Sequence, residues 1–185
     1  MATIDVYVID DSSFDITMFI DSALTWGDVG IKNLKDMVDK LVKLCATGDR
    51  IAELRILGHG NATGQYIGTD WVTESSLIAH REQLARMSSL FVRTPDASSR
   101  AHVIMAGCQQ GQNGSFLLAL SNIWNVPVSG FTALQRPAVP GDEGGTTTCY
   151  ITCAKGARTT ADSVDDVQIA IMDWFTRSES CGTGQ

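Results

Sequence analysis

A chain of 185 residues that is 44% hydrophobic and 19% charged has the size of one domain with a full core, which excludes a disordered or fibrous chain. Its 21 acidic and 14 basic residues give a formal net charge of −7, and the Lys and Arg are scattered, so neither nucleic acid nor an anionic membrane is an expected partner. No apolar run reaches the roughly 18 residues of a membrane span, and the start holds Asp5, Asp10, Asp11 and Asp15 rather than a basic and apolar leader, so the expected location is the cytoplasm.

Residues 4–9, rich in β-branched side chains, predict a first strand that ends at the polar cluster Asp10-Asp11-Ser12-Ser13. Over residues 31–44 the apolar positions Ile31, Leu34, Val38, Leu41 and Leu44 have helical spacing. Gly48-Asp49 marks a turn into a second apolar run, Leu54-Arg55-Ile56-Leu57, which ends in Gly58-His59-Gly60. Tyr66-Ile67-Gly68 and Trp71-Val72 read as a short hairpin, and Thr73 is placed to cap a helix over 74–90.

A loop over 94–99 leads to a third run, residues 102–106, followed by Gly107-Cys108-Gln109-Gln110-Gly111. A helix is expected over 115–124, a strand over 126–131 and an irregular Pro/Gly loop over 136–146. A strand over 147–154 comes next. Asp162 then caps a last helix whose apolar face is Val164, Val167, Ile171, Trp174 and Phe175. Strands alternating with helices predict a single three-layer α/β domain over 1–177 with a mostly parallel central sheet, and a disordered tail over 178–185.

The five cysteines, Cys45, Cys108, Cys149, Cys153 and Cys181, are too few and odd in number for a disulfide framework. Cys149 and Cys153 fall on one expected strand, roughly 13 Å apart, beyond the ~7 Å reach of a disulfide. With no second cysteine pair or histidine pair nearby, neither a metal nor a cofactor is expected.

The chemistry concentrates on His59 and Cys108. Each follows a strand among glycines, and in open α/β sheets sites form at the carboxyl ends of strands. Parallel neighbours lie about 4.8 Å apart, so the two side chains meet if their strands are adjacent. The thiolate is the nucleophilic form of cysteine, and an imidazole can take its proton and later protonate a leaving group. Gly60 and Gly107 permit tight turns and close approach, and the backbone N–H groups of Gly60 and Cys108 are candidates for an oxyanion hole worth roughly 3 kcal/mol per donor. A histidine or a cysteine at a strand end is, taken singly, more often structural; their pairing in matched glycine contexts favours catalysis. His80 falls inside a helix and His102 at the far end of the cysteine strand, so neither is placed to take part.

These two blocks, residues 54–60 and 103–111, resemble the caspase-like cysteine peptidases, in which one strand ends in His-Gly and another in Ala-Cys or Gly-Cys. The separation, 108 − 59 = 49 residues, is similar to the caspase spacing. The nearer likeness is to short bacterial members such as CHAT domains and to an uncharacterised domain of large bacterial surface proteins. The resemblance implies a caspase-like fold and an endopeptidase acting on a protein or peptide substrate through an acyl-enzyme. It makes His59 the general acid/base, Cys108 the nucleophile and Gly60 part of the oxyanion hole, and it leaves room for a regulatory protein partner.

The chain departs from caspases after the cysteine, where Gln109-Gln110 delays the glycine by one position, and it has no arginine beside His59. A caspase preference for Asp is therefore not carried over. Arg136 is a candidate pocket residue, and Asp142 or Glu143 would favour a basic substrate residue; a solvated loop is the better account of all three. Two rival functions are a non-catalytic interaction module with the same fold and a phosphate binder using residues 107–114. The latter matches neither glycine-rich phosphate motif and has no following lysine.

Overall fold

The apolar runs read from the sequence become the middle of one sheet. A computed structural model describes residues 2–10, 28–93, 101–131 and 150–153. In chain order these form β1 (Thr3–Asp10), β2 (Asp28–Ile31), α1 (Leu34–Leu44), β3 (Arg50–Leu57), β4 (Gly60–Asn61), β5 (Gly64–Ile67) and β6 (Asp70–Thr73), then α2 (Leu77–Ala85), β7 (His102–Met105), α3 (Gly114–Trp124), β8 (Val128–Phe131) and β9 (Tyr150–Cys153). Six strands pair in the order β2-β1-β3-β7-β8-β9. The first five are parallel and β9 runs antiparallel to β8. The protein is thus α/β with a mostly parallel sheet, as its alternating pattern predicts.

Register explains the core. Val6, Leu54, Val103 and Val128 lie side by side across four strands, and Val8, Ile56 and Met105 form the next row. Alternation along each strand puts both rows on one face, where every member is at most 1% exposed. They join Leu34, Met37, Val38 and Leu41 of α1, Leu84 of α2, and Phe116, Leu117, Leu120 and Trp124 of α3 in one cluster. The opposite face is more polar. Arg55 pairs with Glu53 at 2.6 Å and lies 5.2 Å over the Tyr7 ring, and His102 Nε2 meets Ser129 Oγ at 2.6 Å. A second helical layer over that face is not among the described residues.

Several elements differ from the expected ones for local reasons. Ile31 is in phase with the helix but belongs to β2, pairing with Asp10. The helix begins instead after Asn33, whose Oδ1 accepts from Asp36 N at 2.8 Å. The helix expected from Glu74 starts at Leu77, because Thr73 and Ser76 close a turn on each other (Thr73 N to Ser76 Oγ 2.9 Å, Ser76 Oγ to Thr73 O 3.0 Å). It ends at Ala85 and tightens into a 3₁₀ turn over Arg86–Leu90. The hairpin has three strands rather than two, since β4 pairs with β5 as β5 pairs with β6.

The β5–β6 turn is pinned to the start of α1. Thr69 N donates to Lys32 O at 2.8 Å, and Asp70 Oδ2 accepts from Leu34 N at 3.1 Å. Gly68 has φ +60, and a Cβ there would lie 2.3 Å from the Lys32 carbonyl carbon, so only glycine fits. The loops over 94–99 and 136–146, Cys149, Cys181, the helix after Asp162 and the tail over 178–185 lie outside the described residues, as do the limits of the expected domain. No described helix is long and apolar enough to cross a membrane.

Candidate active site

β3 and β7 are adjacent and parallel, which the sequence left open. Ile56 is in register with Met105, and Ala106 N continues the ladder to Ile56 O at 2.9 Å. His59 lies three residues past Ile56 (59 − 56) and Cys108 three past Met105 (108 − 105). Both therefore leave the same edge of the sheet at the same level, at the carboxyl ends of neighbouring strands, where α/β sheets form their sites. His59 is exposed and Cys108 half-buried.

The two loops touch through their glycines. A Cβ on Gly60 would lie 3.3 Å from Gly107 Cα and 2.7 Å from Gln110 Nε2. One on Gly107 would lie 2.6 Å from Gln65 Oε1. A side chain at either glycine would collide first with a glutamine, Gln110 at Gly60 and Gln65 at Gly107, and displace it. After His59 the chain turns straight back along β5, with Tyr66 N donating to His59 O at 2.8 Å. After Cys108, Gln109 takes a left-handed conformation (φ 59, ψ 14) and a 3₁₀ turn over Gln110–Gln112 follows. Asn113 Oδ1 then accepts from Phe116 N at 3.2 Å and starts α3.

Two fully buried glutamines connect these loops, and neither was visible in the sequence. Gln65 donates from Nε2 to Ile56 O at 2.7 Å and accepts at Oε1 from Gly107 N at 3.0 Å. Gln110 donates from Nε2 to Asn61 O at 2.6 Å and to Gly64 O at 2.5 Å. A polar residue after a glycine, or in a Gln-Gln pair, reads as solvent-facing by pattern. Only the fold shows that each faces the other loop.

The remaining candidates separate clearly. His80 is on α2, away from the sheet edge. His102 opens β7 at its opposite end, 4% exposed and bonded to Ser129; burial, with the nearby Arg55 charge, pushes its pKa down to about 4. Cys45 closes α1 in the core, where burial pushes its thiol up. Arg136, Asp142 and Glu143 lie outside the described residues. Among the described residues no group of three His, Cys, Asp or Glu could hold a metal. At the first turn of α3, Ser115 Oγ donates to Glu74 Oε2 at 2.5 Å, which puts a carboxylate where a bound phosphate would need a positive field.

The arrangement offers an imidazole and a thiol on adjacent strand ends, on loops linked by Gln65 and Gln110 and open to solvent on the histidine side. No family model, curated protein or solved structure matches the chain.

Proposed function

We propose that the chain is a caspase-like cysteine endopeptidase in which Cys108 is the nucleophile and His59 the general acid/base. The observation that carries this reading is the level of the two residues, three positions past paired residues on adjacent parallel strands. In the proposed reaction His59 takes the Cys108 proton and Sγ adds to the carbonyl carbon of the scissile peptide bond. The tetrahedral oxyanion is met by the N–H groups of Gly60 and Cys108. Collapse expels the amine, which receives the proton from imidazolium, and leaves an acyl-enzyme. A water activated by His59 then hydrolyses the thioester and frees Cys108. The mostly parallel sheet with both residues on its carboxyl edge supports the caspase-like reading.

A thiol-reactive probe with peptide-level mass spectrometry tests it. Selective labelling of Cys108 that is lost in His59→Ala is the expected result. Labelling of Cys108 no faster than that of buried Cys45 would instead mark a non-catalytic interaction module. A peptide-library digest comparing wild type with Cys108→Ala then defines the substrate.

A further inference from the structure

We propose that Gln65 and Gln110 are positioning residues that jointly set the separation of His59 and Cys108; the proposal rests on the dyad read above. Each glutamine belongs to one loop and grips the other. Gln65, on the hairpin that follows His59, holds Gly107 N just before Cys108. Gln110, just after Cys108, holds Asn61 O and Gly64 O just after His59. Gln65 also holds Ile56 O, at the end of the histidine strand. Both reactive residues are therefore bracketed: His59 between anchors at Ile56 and Asn61, Cys108 between anchors at Gly107 and Gln110.

The bonds also carry stability, since a methionine of similar shape would fill the space but leave Gly107 N or the carbonyls of Ile56, Asn61 and Gly64 without these partners. Both side chains are fully buried, and the positioning role rests on where their bonds lie, one on each side of each reactive residue. Among the described residues Gln110 Oε1 is buried without a hydrogen-bond partner. Two carbonyl acceptors fix its amide orientation, since only Nε2 can donate to both. Amides give direction, and apolar isosteres do not. The pair thus specifies where two backbones lie relative to each other, and strand pairing ends at Ala106, before that point.

The test measures the alkylation rate of Cys108 by iodoacetamide from pH 5 to 9 in the full chain, resolved by mass spectrometry. The variants are Gln65→Met, Gln110→Met, their double, His59→Ala and, as a stability control remote from the site, Leu41→Ala. We expect each glutamine variant to slow Cys108 alkylation near neutral pH by about tenfold or more and to move the pH profile onto that of His59→Ala. We expect the double variant to lose no more than the worse single one, as for groups acting as a unit. Leu41→Ala should lower Tm and leave the profile in place. Should one methionine variant not fold, the other carries the same expectation. Unchanged profiles in the glutamine variants, or an equal shift in Leu41→Ala, overturn positioning while the dyad stands. A wild-type profile indifferent to His59→Ala overturns the dyad, and the positioning role with it.

Discussion

Gly130 offers the sharpest test of how tightly the cysteine loop is seated. It lies on β8 opposite Met105 and Ile151, and a Cβ there would sit 2.8 Å from Gln110 C, Gln110 Cβ and Gly111 N. Carbon contacts relax near 3.5–4.0 Å, so Gly130→Ala requires the loop to withdraw by about 1 Å. Gly130 does not use a positive φ, so the penalty is steric. Overpacking of this kind costs about 1–3 kcal/mol, and lost freedom in the unfolded chain offsets about 0.4–1 kcal/mol of it. A net loss of about 1–2 kcal/mol lowers Tm by about 2–8 °C in a chain of this size. The same displacement strains both bonds of Gln110 and moves Cys108, and an ångström at a reacting group is worth up to about 100-fold in rate. Thermal denaturation by circular dichroism and the Cys108 alkylation rate read the two effects separately. Gly114→Ala is the matched control, because a Cβ there meets nothing within 4 Å. If Gly130→Ala melts with wild type and its thiol reacts as fast, the loop is not seated on β8 in the way described.

Three further outcomes are expected. His102 titrates near 4 in the folded chain against an ordinary 6.5, so the unfolded chain binds the extra proton between these values. Stability is then complete above pH 6.5 and falls as pH drops toward 4, by about 3 kcal/mol in the limit. Denaturant titrations at pH 7 and 4.5 should show this loss in wild type and a flatter response in His102→Asn; parallel slopes would refute it. Asp36, Asp39 and Asp49, held below their ordinary 3.8 by bonds from Lys40, Lys35 and Ala2 N respectively, withdraw their contribution only at lower pH. At Gln109, relief of the left-handed backbone and the entropy of glycine, each about 1 kcal/mol, nearly cancel in Gln109→Gly. Gln109→Val should cost at least about 1 kcal/mol. A melt in which valine is tolerated as well as glycine contradicts the assigned conformation.

What the sequence made legible followed from periodicity. β1, β3 and β7 show through the apolar rows they send to the core face, and the carboxyl ends of β3 and β7 carried the glycines that drew attention to His59 and Cys108. β2 was lost because four residues, Asp28 to Ile31, are too short to show a period, and its one large apolar residue matched the phase of the next helix. β4 has two residues and no pattern at all. The glutamines failed for a different reason. Their burial depends on a contact between chain segments 42 and 46 residues apart, which local pattern does not encode. His102 is likewise buried at a strand start, where it bonds Ser129 of the neighbouring β8, a contact 27 residues away that local pattern does not encode.

The hairpin β4–β6 is fastened at both ends, by Gln110 beside the histidine and by Lys32 and Leu34 at the far turn. A beam clamped twice cannot swing. Flap opening of the kind that gates many enzymes takes microseconds to milliseconds, and here it would require both clamps to release together. The exposed His59 ring can still rotate, on the picosecond to nanosecond scale. In the proposed peptidase, opening of this hairpin is then not the step expected to set the pace of turnover.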